Sequence, residues 1–175
     1  MPSTSWLQPW HDLFILVGGA SATLLGLVFV AASIAGAIPN EKLGTAETRA
    51  LWTKPILGAF GRPLVLSAFG LVPGVAPLYF GCGVALASTT DLIYLAVVAR
   101  GLIRHHRVTR DLVLSDWVWN LVLPAATSLL MLAMGATIAS GMVWAIYPLA
   151  AAIGLHLVIG VHNAWELADF LITLQ

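Results

Sequence analysis

Five long apolar runs, separated by short polar or turn-forming stretches, set the pattern of this chain. They cover about 12–38, 50–72, 75–99, 117–143 and 147–172. A helix crosses an apolar layer of about 30 Å with about 20 residues, so each run predicts a membrane-spanning helix. Pro39-Asn40 closes the first run, and Pro148 sits in the first turn of the fifth, where its missing N–H costs nothing. The connection Val72-Pro73-Gly74 leaves room only for a tight antiparallel hairpin, and the link from Gly141 to Tyr147 does the same for the last two spans. Thr45, with Glu47 in the first turn behind it, can cap a helix that begins before the second apolar run. Pro55, Pro63 and Pro124 lie inside spans, where each removes a backbone hydrogen bond and predicts a kink. The residues ahead of the first run carry no Lys or Arg, and the run exceeds the roughly 7–15 residues of a signal-peptide core. It therefore reads as a retained span.

The basic residues orient this arrangement. Lys42, Arg49 and Lys54 lie between spans one and two, and Arg100, Arg104, Arg107 and Arg110 between spans three and four. With five spans both groups fall on one side. The positive-inside rule makes that side cytoplasmic, with the N-terminus outside and the C-terminus inside. Trp6, Trp10, Trp144 and Tyr147 then fall at the outer boundary and Trp52, Trp117 and Trp119 at the inner one, as an aromatic belt requires.

Composition agrees. Of 175 residues, 9% are charged and 59% hydrophobic, against about 25% charged in soluble domains. Such a chain cannot cover a soluble surface, and a disordered chain, a disulfide scaffold and a nucleic-acid binder are excluded with it. The formal net charge is zero, so no global field draws an acidic or basic partner. Cys82 is the single cysteine and reads as a small hydrophobe in an apolar run. The expectation is one all-α domain over 1–175, a polytopic transmembrane helix bundle. Small residues recur every four positions at Gly18, Ala22, Gly26; at Ala133, Thr137, Gly141; and at Gly160, Ala164, Ala168. This spacing lets membrane helices approach closely, within a protomer or between copies.

The informative residues are the few ionisable ones inside spans, which are costly there unless paired or hydrated. Arg62 lies about 12 Å from Lys54 and Asp91 about 14 Å from Arg100 at 1.5 Å per residue, so a buried Arg–Asp pair at one depth is expected. In span five, His162, Glu166, Asp169 and Thr173 share one helical stripe, and His156 and Asn163 share the neighbouring one. The predicted inner-leaflet cluster is Arg62, Asp91, His162, Asn163 and Glu166, with Thr89 and Thr90 as added hydroxyls. Three readings compete: an interhelical network that locks the bundle, a cytoplasm-facing vestibule for an ion or proton where His titrates near neutral pH, and a metal, pigment or haem site at His156 or His162. The last has only the pair His162-x3-Glu166 and no second ligand pair, so no cofactor is required and no metal ligand is assigned. His105-His106 reads as a solvated basic turn near anionic headgroups. No catalytic signature occurs: there is no Gly-x-Ser-x-Gly, His-Glu-x-x-His or phosphate-binding loop.

The first span, from Phe14-Ile-Leu-Val-Gly-Gly to Val-Phe-Val-Ala31, is similar to the opening helix of small bacterial integral membrane proteins of unknown function. The stretch Ile159-Gly-Val-His-Asn-Ala-Trp-Glu166 resembles their last span. The resemblance covers 26 of the 175 residues. It implies a bacterial cytoplasmic (inner) membrane protein and carries no activity. Two function classes follow: a small channel- or transporter-like protein, oligomeric and using the polar cluster, or an accessory or structural subunit packed against a larger membrane complex.

Overall fold

The computed structural model describes residues 6–36, 46–109 and 114–173. All regular structure among them is helical. We label the helices α1 (His11–Gly36, entered through a 3-10 turn at Gln8–Trp10), α2 (Ala46–Gly70), α3 (Pro77–Thr109), α4 and α5 (Ile146–Thr173). Helix α4 is built from Leu114–Trp117, a π turn at Val118–Val122 and Leu123–Ala139. Four stretches are long and apolar enough to cross a membrane: Gln8–Ser33, Pro77–Gly101, Val118–Ala139 and Val143–Glu166. The apolar part of α2, Ile56–Gly70, is shorter.

Several expected boundaries shift. Helix α3 runs on through Arg100, Arg104 and Arg107, so these bases extend a helix instead of lying in a loop. Lys42, Thr45 and Arg110 lie outside the described residues. The sharp turn after α2 is present, with Gly74 at φ 69°, a backbone state that suits glycine. Yet α2 and α3 touch little along their length; α3 packs mainly on α4, and α2 on α1 and α5. The link between α4 and α5 turns at Gly141, φ 95°. In α4 the irregularity predicted at Pro124 is the π turn just before it: Leu123 N–H bonds Val118 O, five residues back. Pro124 has no N–H for the carbonyl four residues back, and the widened turn relieves its ring from that carbonyl.

Glycines set the two closest crossings. A Cβ on Gly135 would stand 2.9 Å from both Ala85 N and Gly81 O, and one on Gly81 would strike Gly135 O and Ala139 N, so α3 and α4 meet backbone to backbone. A Cβ on Gly160 would come within 2.7 Å of the Phe60 ring, which seats α2 on α5. Of the predicted small-residue stripes, Gly18 (against Ser67) and Gly160 pack within the bundle. Ala22, Gly26, Ala133 and Gly141 are exposed and do not. The working surface of α4 is instead Gly135 with Ser128, Met131 and Ile138.

The exposed surface suits lipid. Leu16, Phe29, Val65, Leu86, Ile93 and Trp165 are more than half exposed, whereas Ser88, Asp91, Thr127, Ser128 and His156 are buried. Polar groups inside and apolar groups outside is the distribution a bilayer selects, because only the interior offers partners to polar atoms. At the end with the two short links, rings close the bundle. Phe80 meets Trp6, Phe14 and Phe69 at centroid distances of 5.6, 5.9 and 5.8 Å. Trp6 Nε1 donates to Val75 O at 2.9 Å, and Trp10 packs edge-on to Tyr147 at 4.9 Å. Trp6 and Trp10 are thus packed parts of the bundle end, beyond the belt role expected of them.

Candidate functional site, a buried polar network

Four helices each send one polar face to the middle of the bundle. Helix α2 brings Arg62; α3 brings Asp91 and, one turn on, Tyr94; α4 brings Asn120, Thr127 and Ser128; α5 brings His156 and Asn163. Asp91 and Tyr94 are three apart and His156 and Asn163 seven apart, so each pair lies on one helical face, while Asn120 sits in the π turn that precedes Thr127 and Ser128. The glycine contact between α3 and α4 draws Asp91 up to Ser128, and the Phe60–Gly160 contact draws Arg62 up to His156.

The connections follow from donor and acceptor chemistry. Arg62 Nη2 pairs with Asp91 Oδ1, and Ser128 Oγ donates to Asp91 Oδ2. Arg62 Nη1 lies 2.8 Å from His156 Nε2. A guanidinium only donates, so Nε2 accepts and the imidazole is neutral with its proton on Nδ1. That Nδ1–H donates to Thr127 Oγ1 at 3.1 Å. The Thr127 hydroxyl donates in turn to the carbonyls of Leu123 and Pro124, at 3.0 and 2.9 Å. Asp91 Oδ2 also lies 3.9 Å from His156 Nε2. Arg62 folds back over its own helix: a Cβ at Gly58 would sit 2.6 Å from Nη2, so glycine there makes room for the guanidinium.

Beside the network is a small cavity of about 20 Å³, lined by Arg62, Asp91, Tyr94, Asn120, His156 and Asn163 among others. One water molecule fits such a volume. Ala59, Tyr94, Asn120 and Asn163 each lie along their helix on the same side of the ion-pair layer, toward the end bearing the longer links and the bases. Toward the other end stand the rings of Phe14, Phe69 and Phe80. The cavity thus lies on the basic-end side of the ion-pair layer, with the rings on the other side.

The predicted cluster divides. Arg62, Asp91 and Asn163 come together. His162 and Glu166 do not join them: they pair with each other at 3.0 Å, about a third exposed, and the His162 ring stacks on Trp119 with centroids 3.7 Å apart. Their stripe lies beside the inward one and faces the rim of the bundle. His156, expected on the neighbouring stripe with Asn163 and as a possible ligand, is central. Along its helix Arg62 is about 12 Å from Gly70, and His156 is about 15 Å from Ile146. Thr89 and Thr90 are exposed and bond Ala85 O and Ala87 O of their own helix. Thr127, Ser128, Asn120 and Tyr94 are additions that no spacing in the sequence singles out.

A metal, pigment or haem at His156 does not fit. Both ring nitrogens are engaged, and the adjoining cavity is the size of a water molecule. His162 has one carboxylate partner and a ring against it, and no three His, Cys, Asp or Glu converge among the described residues.

Fold and site together define an all-α bundle with apolar, membrane-length helices around a buried charged network. The chain matches no protein-family model, no curated protein and no solved structure.

Proposed function

We propose that the chain is a five-span protein of a bacterial cytoplasmic membrane, N-terminus outside and C-terminus inside, acting as a small channel- or transporter-type protein. The Arg62–Asp91–His156 network is its ion-handling centre. The apolar part of α2 extends about 22 Å and supplies the fifth crossing together with the polar turns that precede it. The observation that carries the reading is the cavity beside a buried ion pair, with Tyr94, Asn120 and Asn163 on its basic-end side. A lock that only holds helices together needs its charges neutralised, but it needs no cavity next to them. The rings of Phe14, Phe69 and Phe80 pack together at the other end, so conduction along a homo-oligomer interface or an alternating opening completes the path.

Ion flux into liposomes carrying the purified protein tests this. Flux is expected with the native chain and its loss in Asp91→Asn at unchanged fold; wild-type vesicles as tight as protein-free ones would overturn it. One observation favours the second reading, an accessory subunit of a larger membrane complex: Gly19 and Gly26 on α1 have open space above them, a smooth strip for another helix. Co-purification with a larger complex at fixed stoichiometry supports that reading.

A further inference from the structure

The cavity contains an acceptor that the protein itself leaves unanswered. Asn163 is 6% exposed, lines the cavity, and its Oδ1 has no hydrogen-bond partner among the described residues. A buried amide oxygen without a donor is destabilising, so the site calls for a small hydrogen-bond donor. Two features select its chemistry. The volume suits one water molecule. The charge is balanced: Arg62 offsets Asp91, and His156 is neutral by its donor and acceptor roles. A dehydrated metal cation would enter with no net negative charge to replace its hydration shell. A neutral water molecule meets no such penalty, and a proton relayed through it ends in a covalent O–H bond on the carboxylate instead of needing a shell of ligands.

We propose that the cavity is a one-water proton site, in which water held by Asn163 Oδ1 delivers a proton to Asp91 from the side of the basic links. The inference rests on the ion-handling reading and names its ion as H⁺. In the step, an arriving proton forms an O–H bond on the cavity water as that water gives one of its own protons to Asp91, where a new O–H bond forms, and neutral water remains. Asp91 becomes neutral and its electrostatic hold on Arg62 is lost. The guanidinium then keeps His156 as its acceptor. Protonation of Asp91 thereby converts a closed ion pair into a free cation facing the cavity. Return of the proton to water restores the pair.

The test uses the full chain in liposomes, with two dyes reporting internal pH and internal Na⁺ under imposed gradients of each ion. In parallel, infrared difference spectra of the same vesicles are recorded on acidification. The wild type is expected to dissipate the pH gradient and leave the Na⁺ gradient intact. It is also expected to show a protonated-carboxyl band that is absent in Asp91→Asn. Asn163→Leu fills the cavity and removes the acceptor, and should slow proton flux by about a hundredfold, the scale of one proton-transfer group. Asn163→Ser keeps a polar, roomy site and should retain most of the flux. Unfolding temperatures identify variants that fail to fold. Na⁺ flux in place of H⁺ flux, or unchanged proton flux in folded Asn163→Leu, would overturn the proton site and leave the ion-handling reading standing. No flux of either ion would overturn that reading, and the infrared band would then decide by itself whether Asp91 takes up a proton.

Discussion

Arg62 on α2 and His156 on α5 meet at 2.8 Å across the centre of the bundle, 94 positions apart in sequence. The contact fixes more than proximity. Because the guanidinium donates, the imidazole accepts, and its remaining N–H is directed to Thr127 on α4. One ring thus couples three helices, and Asp91 adds the fourth.

Replacing His156 should reveal that coupling. His156→Leu strands a guanidinium N–H, at a cost of about 1–3 kcal/mol, while the Thr127 hydroxyl keeps its bonds to the Leu123 and Pro124 carbonyls. His156→Gln offers a carbonyl to Arg62 and an N–H to Thr127 and should recover much of it. Thermal unfolding of the detergent-solubilised variants measures the difference, and equal losses in both would refute the assigned roles.

Gly58 tests the placement of Arg62 without altering any charge. A bulkier side chain there meets Nη2 and must push the guanidinium off Asp91. Gly58→Val is expected to lower ion flux several-fold with the helix content retained in circular dichroism, whereas Gly61→Val, where a Cβ meets nothing, should leave flux near the native level.

The α3–α4 crossing gives a sharper stability contrast. Gly81→Val drives a side chain into the backbone of α4 and should cost at least about 1–3 kcal/mol, the usual scale of overpacking. Gly26→Ala points into open space and should stay within about 0.5 kcal/mol. Unfolding midpoints of the two variants compare directly.

The rim pair should matter little. His162 and Glu166 are each about a third exposed, pair with each other and lie apart from the ion-pair layer. Glu166→Gln should leave both unfolding temperature and flux close to wild type; a large loss of flux would place the rim in the ion path.

Labelling tests orientation. In a Cys82→Ala background, Ser140→Cys in the short link between α4 and α5 should react with a membrane-impermeant maleimide on intact cells. Ser115→Cys near the start of α4 should react only after lysis. The reverse pattern would invert the topology.

Much of this fold is legible in the sequence because lipid imposes a length and a composition that few residues can escape. The runs that become α1, α3, α4 and α5 stand out for that reason. Helix α2 is harder, since Lys54 and Arg62 interrupt its apolar stretch. Equal depth from one membrane edge brings Arg62 and Asp91 together on paper. Depth alone does not fix which face of a helix turns inward, so His162 and Glu166 are grouped with them although their stripe faces the rim. Azimuth comes from the tight glycine crossings at Gly81, Gly135 and Gly160, and a small-residue spacing that also occurs at Gly18, Gly26 and Gly141 does not mark those three out. Thr127 and Ser128 look like ordinary intrahelical hydroxyls until α4 is placed against α3 and α5.

The most direct test of the central claim is flux and stability measured together in the double variant Arg62→Leu/Asp91→Leu. A buried ion pair can often be replaced by apolar residues at little cost or even with a gain in stability, whereas Arg62→Leu alone leaves a lone buried carboxylate and should lose about 3–5 kcal/mol. An ion-handling centre predicts a double variant that unfolds near or above the wild-type temperature and carries no flux. A double variant with wild-type flux would contradict it.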